Sequence, residues 1–360
     1  MIAAPSPAEE KAGFAARIIS WQKIHGRHDL PWQNTRDPYA IWVSEIMLQQ
    51  TQVASVIGYY QRFMNRFPDI PTLATATQDE VLQHWSGLGY YSRARNLHAA
   101  AQRIMQQHAG QFPQDIEAVQ ALPGIGRSTA AAITAFAFGH HRAILDGNVK
   151  RVLARCFGIE GWSGLQKVEK QMWRLAEDLL PSKEIEAYIQ GLMDLGATLC
   201  SRNPACPNCP LLDMCSARRT GKVLSLPSPK PRKVIPHRET TMILLLSGNG
   251  VLLHKRPSTG IWGGLWSLPE IDTGEDAQQV VKERMGLEAE PLPTLPTILH
   301  TFTHFTLKIT PQPLKIKNHQ KPLMVPGTIW LDLSDASDAA LPAPVKKLLR
   351  QWEQNKKAPP

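Results

Sequence analysis

The sequence has no run of about 18 apolar residues, so no segment is long enough to cross a bilayer as a helix. It is also short of acid. Against 40 Lys and Arg stand 31 Asp and Glu, a formal charge of +9 that favours a polyanionic partner, nucleic acid or an acidic membrane surface. The first residues, MIAAPSPAEEKAGF, carry acid where a secretory or transit leader would be basic. A soluble, cytoplasmic protein without membrane attachment is expected. Cysteine is scarce: there are five, and four of them, Cys200, Cys206, Cys209 and Cys215, fall within residues 200–215. Such clustering points to metal ligation over a disulfide framework. Cys156 stands apart on a helical apolar face with Val149, Val152 and Leu153 and reads as core. Internal repeats are absent, and the stretch 216–236 is the one compositionally biased segment.

What is present divides the chain in two, as 360 residues suggest. From about residue 8 to 200 the apolar spacing is helical, with short loops of Gly, Pro, Asp and Asn and little alternation, which predicts an all-α part. Residues 216–236, SARRTGKVLSLPSPKPRKVIP, lose this period and read as a basic linker. Beyond it two apolar runs flank Ser247-Gly248-Asn249-Gly250, a hairpin signal, and His300 to Thr310 reads as extended, so the second part is α+β.

Several residues carry candidate chemistry. In residues 121–128, ALPGIGRS, Gly124 and Gly126 let a helix-hairpin-helix turn approach a phosphate, whose charge would meet N–H groups at the next helix start. An ordinary glycine-rich turn fits the same residues. Asp146, before a helical pattern, is placed to cap that helix, and near a DNA-gripping hairpin it could also stabilise positive charge on a deoxyribose as its base leaves. Glu45 has Ile41, Trp42 and Leu48 as helical neighbours. Desolvation there would raise its pKa and keep a proton for a leaving purine, unless the helix turns it to solvent. Gln49, Gln50, Leu88 and Tyr90 are candidate wedges for an unstacked duplex, or surface amides and packed apolar groups. The cysteine spacing C-x5-C-x2-C-x5-C offers four thiolates that zinc and a [4Fe-4S] cluster would both accept.

Taken together, residues 30–32 (LPW), 43–52 (VSEIMLQQTQ), 87–96 (GLGYYSRARN), 122–129 (LPGIGRST) and 145–151 (LDGNVKR) resemble the MutY-type adenine DNA glycosylases of the helix-hairpin-helix superfamily that includes endonuclease III. The resemblance implies a multidomain fold. An all-α glycosylase domain would span 1–220, with a [4Fe-4S] loop at 200–215, followed by a linker at 221–236 and a Nudix-like 8-oxoguanine-reading domain at 237–355. It implies that Glu45 protonates the adenine, that Asp146 steadies the oxocarbenium ion with help from Asn148, and that Trp32 and Gln190 line the adenine pocket. Gln50, Leu88 and Tyr90 would probe the helix around the extruded base. The implied partner is double-stranded DNA carrying adenine opposite 8-oxoguanine or guanine, met by a monomer at the bacterial nucleoid.

Three departures matter. Lyase members of the superfamily carry a lysine where this chain has Ser128, and none lies between Leu122 and Val149, so a monofunctional glycosylase is expected. The first cysteine interval is five residues where the family usually has six, which leaves zinc as the alternative. Phe302-Thr303-His304 stands where the family commonly has Phe-Ser-His, and is expected to contact 8-oxoguanine. After Pro269 acids are too sparse for a working Nudix helix, so this domain reads without hydrolysing.

Overall fold

A computed structural model describes residues 7–231, 234–317, 326–336 and 339–357. Its residues form two compact units, Met1–Thr75 with Ala99–Arg232, and Ala76–His98 with Lys233–Pro360. The helices of the first two-thirds are α1 (Pro7–His25), α2 (Pro38–Leu48), α3 (Val53–Arg66), α4 (Ile70–Thr75), α5 (Gln78–Trp85), α6 (Ser92–Gln107), α7 (Ile116–Gln120), α8 (Arg127–Phe138), α9 (Gly147–Cys156), α10 (Gln166–Asp178), α11 (Ile185–Thr198) and the short α12 (Ser216–Arg219). Their starts are legible chemically. Asp37 accepts from the N–H groups of Tyr39 and Ala40 ahead of Pro38, and Thr77 with Glu80 closes a reciprocal capping box on α5.

Helices α1, α8, α9, α10 and α11 enclose the main core of the first unit, with Phe14, Ile18, Ala135, Leu153, Met172 and Ile189 inside it. Two glycines of α11 set the spacing. A Cβ at Gly191 would lie 2.7 Å from Ile18 Cγ2, and one at Gly196 would lie 2.5 Å from Asn148 Cβ. Helix α11 therefore closes on α1 through Gly191 and on the start of α9 through Gly196, and this second contact seats Asn148.

The segment expected to be a linker is in its first half part of this unit. Arg155, only 4% exposed, donates from Nε to the Leu226 carbonyl at 2.9 Å, Leu226 is buried, and the Gly161 N–H donates to Ser228 Oγ at 3.0 Å. A buried guanidinium must find acceptors, and it takes one from this otherwise aperiodic stretch.

In the second unit β1 (His237–Ser247) turns through Gly248-Asn249 into β2 (Gly250–Lys255), as the hairpin signal predicts. β3 (Trp266–Ser267) pairs with β2, and β4 (Glu270–Ile271) pairs with β1; α13 (Ala277–Met285) follows. Then come β5 (Ala289–Pro291), β6 (Ile298–Thr301), β7 (Thr306–Ile316), β8 (Thr328–Asp332) and α14 (Ala343–Lys357). The sheet runs β3-β2-β1-β7-β5, with β8 on β2 and β6 on β7. β1 and β7 run parallel from His237 opposite Thr306, and the run Met242–Leu246 is buried on both faces. Pro311 and Pro313 lie between the part of β7 paired to β6 (306–309) and the part paired to β5 (314–316). On that side a missing N–H loses no ladder bond. The extended reading of 300–310 resolves into two strands, β6 and β7, with a turn at 302–305 between them.

Candidate active site

A cleft of about 1250 Å³ opens in the first unit. Its walls carry eight of the residues singled out from sequence: Trp32, Glu45, Gln49, Gln50, Ser128, Asp146, Asn148 and Gln190. Within α2 Tyr39–Ser44, Ile46 and Met47 are all buried, and Glu45, set among them, is half-buried against the cleft. Its carboxyl is pushed up from 4.5 to about 7, first by burial and then by the charge of Asp146. At neutral pH such a group still holds much of its proton.

Asp146 caps α9, with Oδ1 accepting from the Val149 N–H at 2.8 Å and Oδ2 from the Asn148 amide at 3.3 Å. Burial raises its pKa, and the hydrogen bonds from Val149 and Asn148 and the nearby Arg151 oppose the rise. Capping and an exposure to the cleft therefore coexist in one side chain. Asn148 is itself held: Arg151 donates to its Oδ1 at 2.8 Å, to the Gly196 carbonyl at 2.6 Å and, through Nε, to the Cys200 carbonyl at 2.6 Å. Sequence reasoning missed Arg151, although its place one helical turn after Asn148 was the available signal.

The hairpin joins α7 to α8. Gly124 has a φ of +80°, which favours glycine, whereas Gly126 has φ −89° and ψ 172°, open to any residue. A Cβ at Gly126 would touch nothing among the described residues, and no side chain of theirs caps the N-terminus of α8 there. Its unclaimed N–H groups suit an anion. Gly126→Ala should thus leave the melting temperature unchanged and weaken duplex binding roughly tenfold, about 1.4 kcal/mol; equal affinity for DNA would refute a phosphate contact there. Ser128, the second residue of α8, accepts from the Leu145 N–H at 2.9 Å and so ties the hairpin to the loop bearing Asp146. Lys150 is engaged by Glu169 at 2.7 Å and is not among the residues lining the cleft.

Other predicted residues lie elsewhere. Leu88 is buried and Tyr90 is 46% exposed with φ +49°, both in the second unit. Also in that unit, Phe302 stacks on Phe305 at 4.6 Å and lies 5.2 Å from Trp262, while Thr303 and His304 are exposed at the tip of the turn between β6 and β7. Helix α13 carries a single acid, Glu283, which accepts from Gln279 at 2.8 Å.

Cys200, Cys206, Cys209 and Cys215 line one small cavity of about 30 Å³ with Arg155, Leu199 and Leu212. Arg155 donates to Cys200 Sγ at 3.4 Å and its carbonyl accepts from Cys215 Sγ at 3.6 Å. Among the described residues no group of three or more His, Cys, Asp or Glu is placed to hold a single metal ion. The four thiols surround a space.

Two family models match the chain. Residues 43–178 match the HhH-GPD superfamily of base excision DNA repair proteins, and residues 240–351 match the NUDIX domain. The adenine DNA glycosylase of Buchnera aphidicola subsp. Acyrthosiphon pisum (strain APS) is 36% identical over 351 residues, 95% of this chain and 98% of that protein. The adenine DNA glycosylase of Homo sapiens is 34% identical over 409 aligned positions, 96% of this chain and 74% of that protein. Among solved structures, a thermostable thymine-DNA glycosylase superposes with a TM-score of 0.55 at 31% identity, covering 60% of this chain and 100% of that one.

Proposed function

The chain belongs to the adenine DNA glycosylases, and from that premise we propose that it hydrolyses the N-glycosidic bond of a deoxyadenosine flipped out of the duplex opposite 8-oxoguanine or guanine. The observation that carries the chemistry is the pairing, in one cleft, of a half-buried Glu45 whose carboxyl sits near 7 with Asp146.

Glu45 gives its proton to the adenine ring nitrogen, so that the C1′–N bond breaks with its electron pair going to a neutral base. Positive charge then develops on the deoxyribose. Asp146, short of solvent and held at the start of α9, faces that charge in a medium where a carboxylate counts for more than it would in water. Asn148, fixed by Arg151, steadies the carboxylate. Water adds to C1′, its proton is taken by one of the two carboxylates, and an abasic site remains. With Ser128 at the hairpin, Lys150 paired to Glu169 and no lysine among the described residues lining the cleft, the reaction goes without a Schiff base and the enzyme acts without cutting the strand.

The working division is a glycosylase domain over 1–220, a linker over 221–236 whose first half packs on that domain, and a reading domain over 237–355, in which Phe302, Thr303 and His304 contact 8-oxoguanine. Gln49, Gln50, Leu88 and Tyr90 fill or probe the duplex where the base has left it. The enzyme works as a monomer on the DNA of the nucleoid. Cys200, Cys206, Cys209 and Cys215, which line one cavity, hold a [4Fe-4S] cluster, the group to which the C-x2-C-x5-C part of their spacing and the family resemblance point. When bound, such a cluster supplies a rigid, positively flanked loop for the DNA backbone. Freshly purified protein is accordingly expected to be brown, with iron and sulfide in equal amounts; a colourless, zinc-loaded protein would contradict this.

A further inference from the structure

Asp194 lies outside the cleft on α11, is 0% exposed, and yet organises two of its walls. One turn earlier, Gln190 donates from Nε2 to Asp194 Oδ1 at 2.9 Å. Arg27 reaches the same carboxylate from across the fold, with its backbone N–H on Oδ2 at 2.9 Å and its guanidinium on Oδ1 at 2.7 and 2.6 Å. A carboxylate in that ion pair can only accept. Gln190 must therefore turn its NH₂ inward, since a flipped amide would set its carbonyl oxygen against the carboxylate. Its own carbonyl oxygen then has no hydrogen-bond partner among the described residues, and the side chain lines the cleft. The same charge anchors the start of the loop that brings Trp32 to the cleft, a loop braced by Gln33 Nε2 on the Arg27 carbonyl at 2.9 Å.

We propose that Asp194 is a positioning residue that fixes the Gln190 amide with its carbonyl oxygen toward the cleft, so that the pocket selects a base bearing an exocyclic amine over one bearing a carbonyl at that place. This rests on the glycosylase reading above. Adenine offers such an amine, whereas hypoxanthine puts lone pair against lone pair, and an unmatched acceptor in a closed pocket is rejected strongly. Asn at 194 has an amide that can pair with either end of Gln190, and the selection is lost.

The test compares kcat/KM for release of adenine and of hypoxanthine opposite 8-oxoguanine by the full-length protein and by Asp194→Asn, Gln190→Met and the double variant, with melting temperatures alongside. The adenine-to-hypoxanthine ratio should fall by at least about tenfold in each single variant and no further in the double. Equal slowing on both bases with an unchanged ratio would reduce Asp194 to a structural role and overturn the inference. Gln190→Met leaves the Asp194–Arg27 pair whole, so an unchanged ratio there overturns it too, even if Asp194→Asn does not fold. Wild-type protein inert toward adenine would instead overturn the glycosylase reading itself.

Discussion

Glu45→Gln lowers the single-turnover rate of adenine release by about 10²–10⁴-fold, the usual worth of a placed general acid, while duplex affinity stays as it was. The amide keeps the shape of the side chain and loses only the proton. The wild-type pH profile should carry the same signature. Only protonated Glu45 can donate, and its carboxyl sits at about 7, so the rate falls toward tenfold per pH unit above that value. In Glu45→Gln this alkaline limb disappears. Stability falls with pH in the same direction. Glu45 has a folded pKa raised above its ordinary 4.5, so its contribution to stability is fully present below 4.5 and is lost as pH rises through about 7. The Gln variant is therefore expected to melt higher than wild type in alkaline buffer and no differently in acid, a trade of stability for chemistry. Equal melting curves at alkaline pH would mean that Glu45 is better solvated than the cleft implies.

Asp146→Asn tests the other carboxylate, with an expected loss of about 10²–10³-fold in rate. Asn caps helices nearly as well as Asp, so α9 should hold and the melting temperature should scarcely move. Asp146→Ala adds the lost cap, about 1 kcal/mol, to the same loss of rate. Removing the charge has a second consequence. Asp146 is one of the two causes that raise Glu45, so in Asp146→Asn the residual activity should lose its alkaline limb at lower pH than wild type does. An unshifted limb would show that the two groups do not share a site.

Much of this was legible from the sequence where a local rule has one physical outcome. Asp146 ahead of a helical pattern had to cap it, Gly248-Asn249 between apolar runs had to turn, and Cys156 among Val149, Val152 and Leu153 had to be core. Periodicity could not orient Glu45, because α2 is apolar on nearly every side and any rotation buries something suitable. The turn at 302–305 was hidden for a related reason: alternating Thr and aromatic residues satisfy a strand, and only the pairing of Thr301 with Thr306 shows the reversal. The proline-rich stretch after Ser216 read as linker because the acceptor it supplies serves a buried arginine 71 positions earlier. Asp194 gave no signal, since its charged partner Arg27 lies 167 positions away and meets it only through the tertiary fold. Gly126 differs again. A Cβ there would meet nothing among the described residues and its backbone suits any residue, so nothing in the fold calls for glycine at that position.

The central claim is that one cleft holds a proton donor and a cation stabiliser for excision of adenine. A single-turnover assay on a duplex with adenine opposite 8-oxoguanine tests it most directly, following free adenine and strand integrity together for the wild type, Glu45→Gln and Asp146→Asn. The account predicts free adenine and an abasic strand that breaks only on treatment with alkali, from the wild type alone. No adenine from the wild type, or undiminished release by both variants, would contradict it.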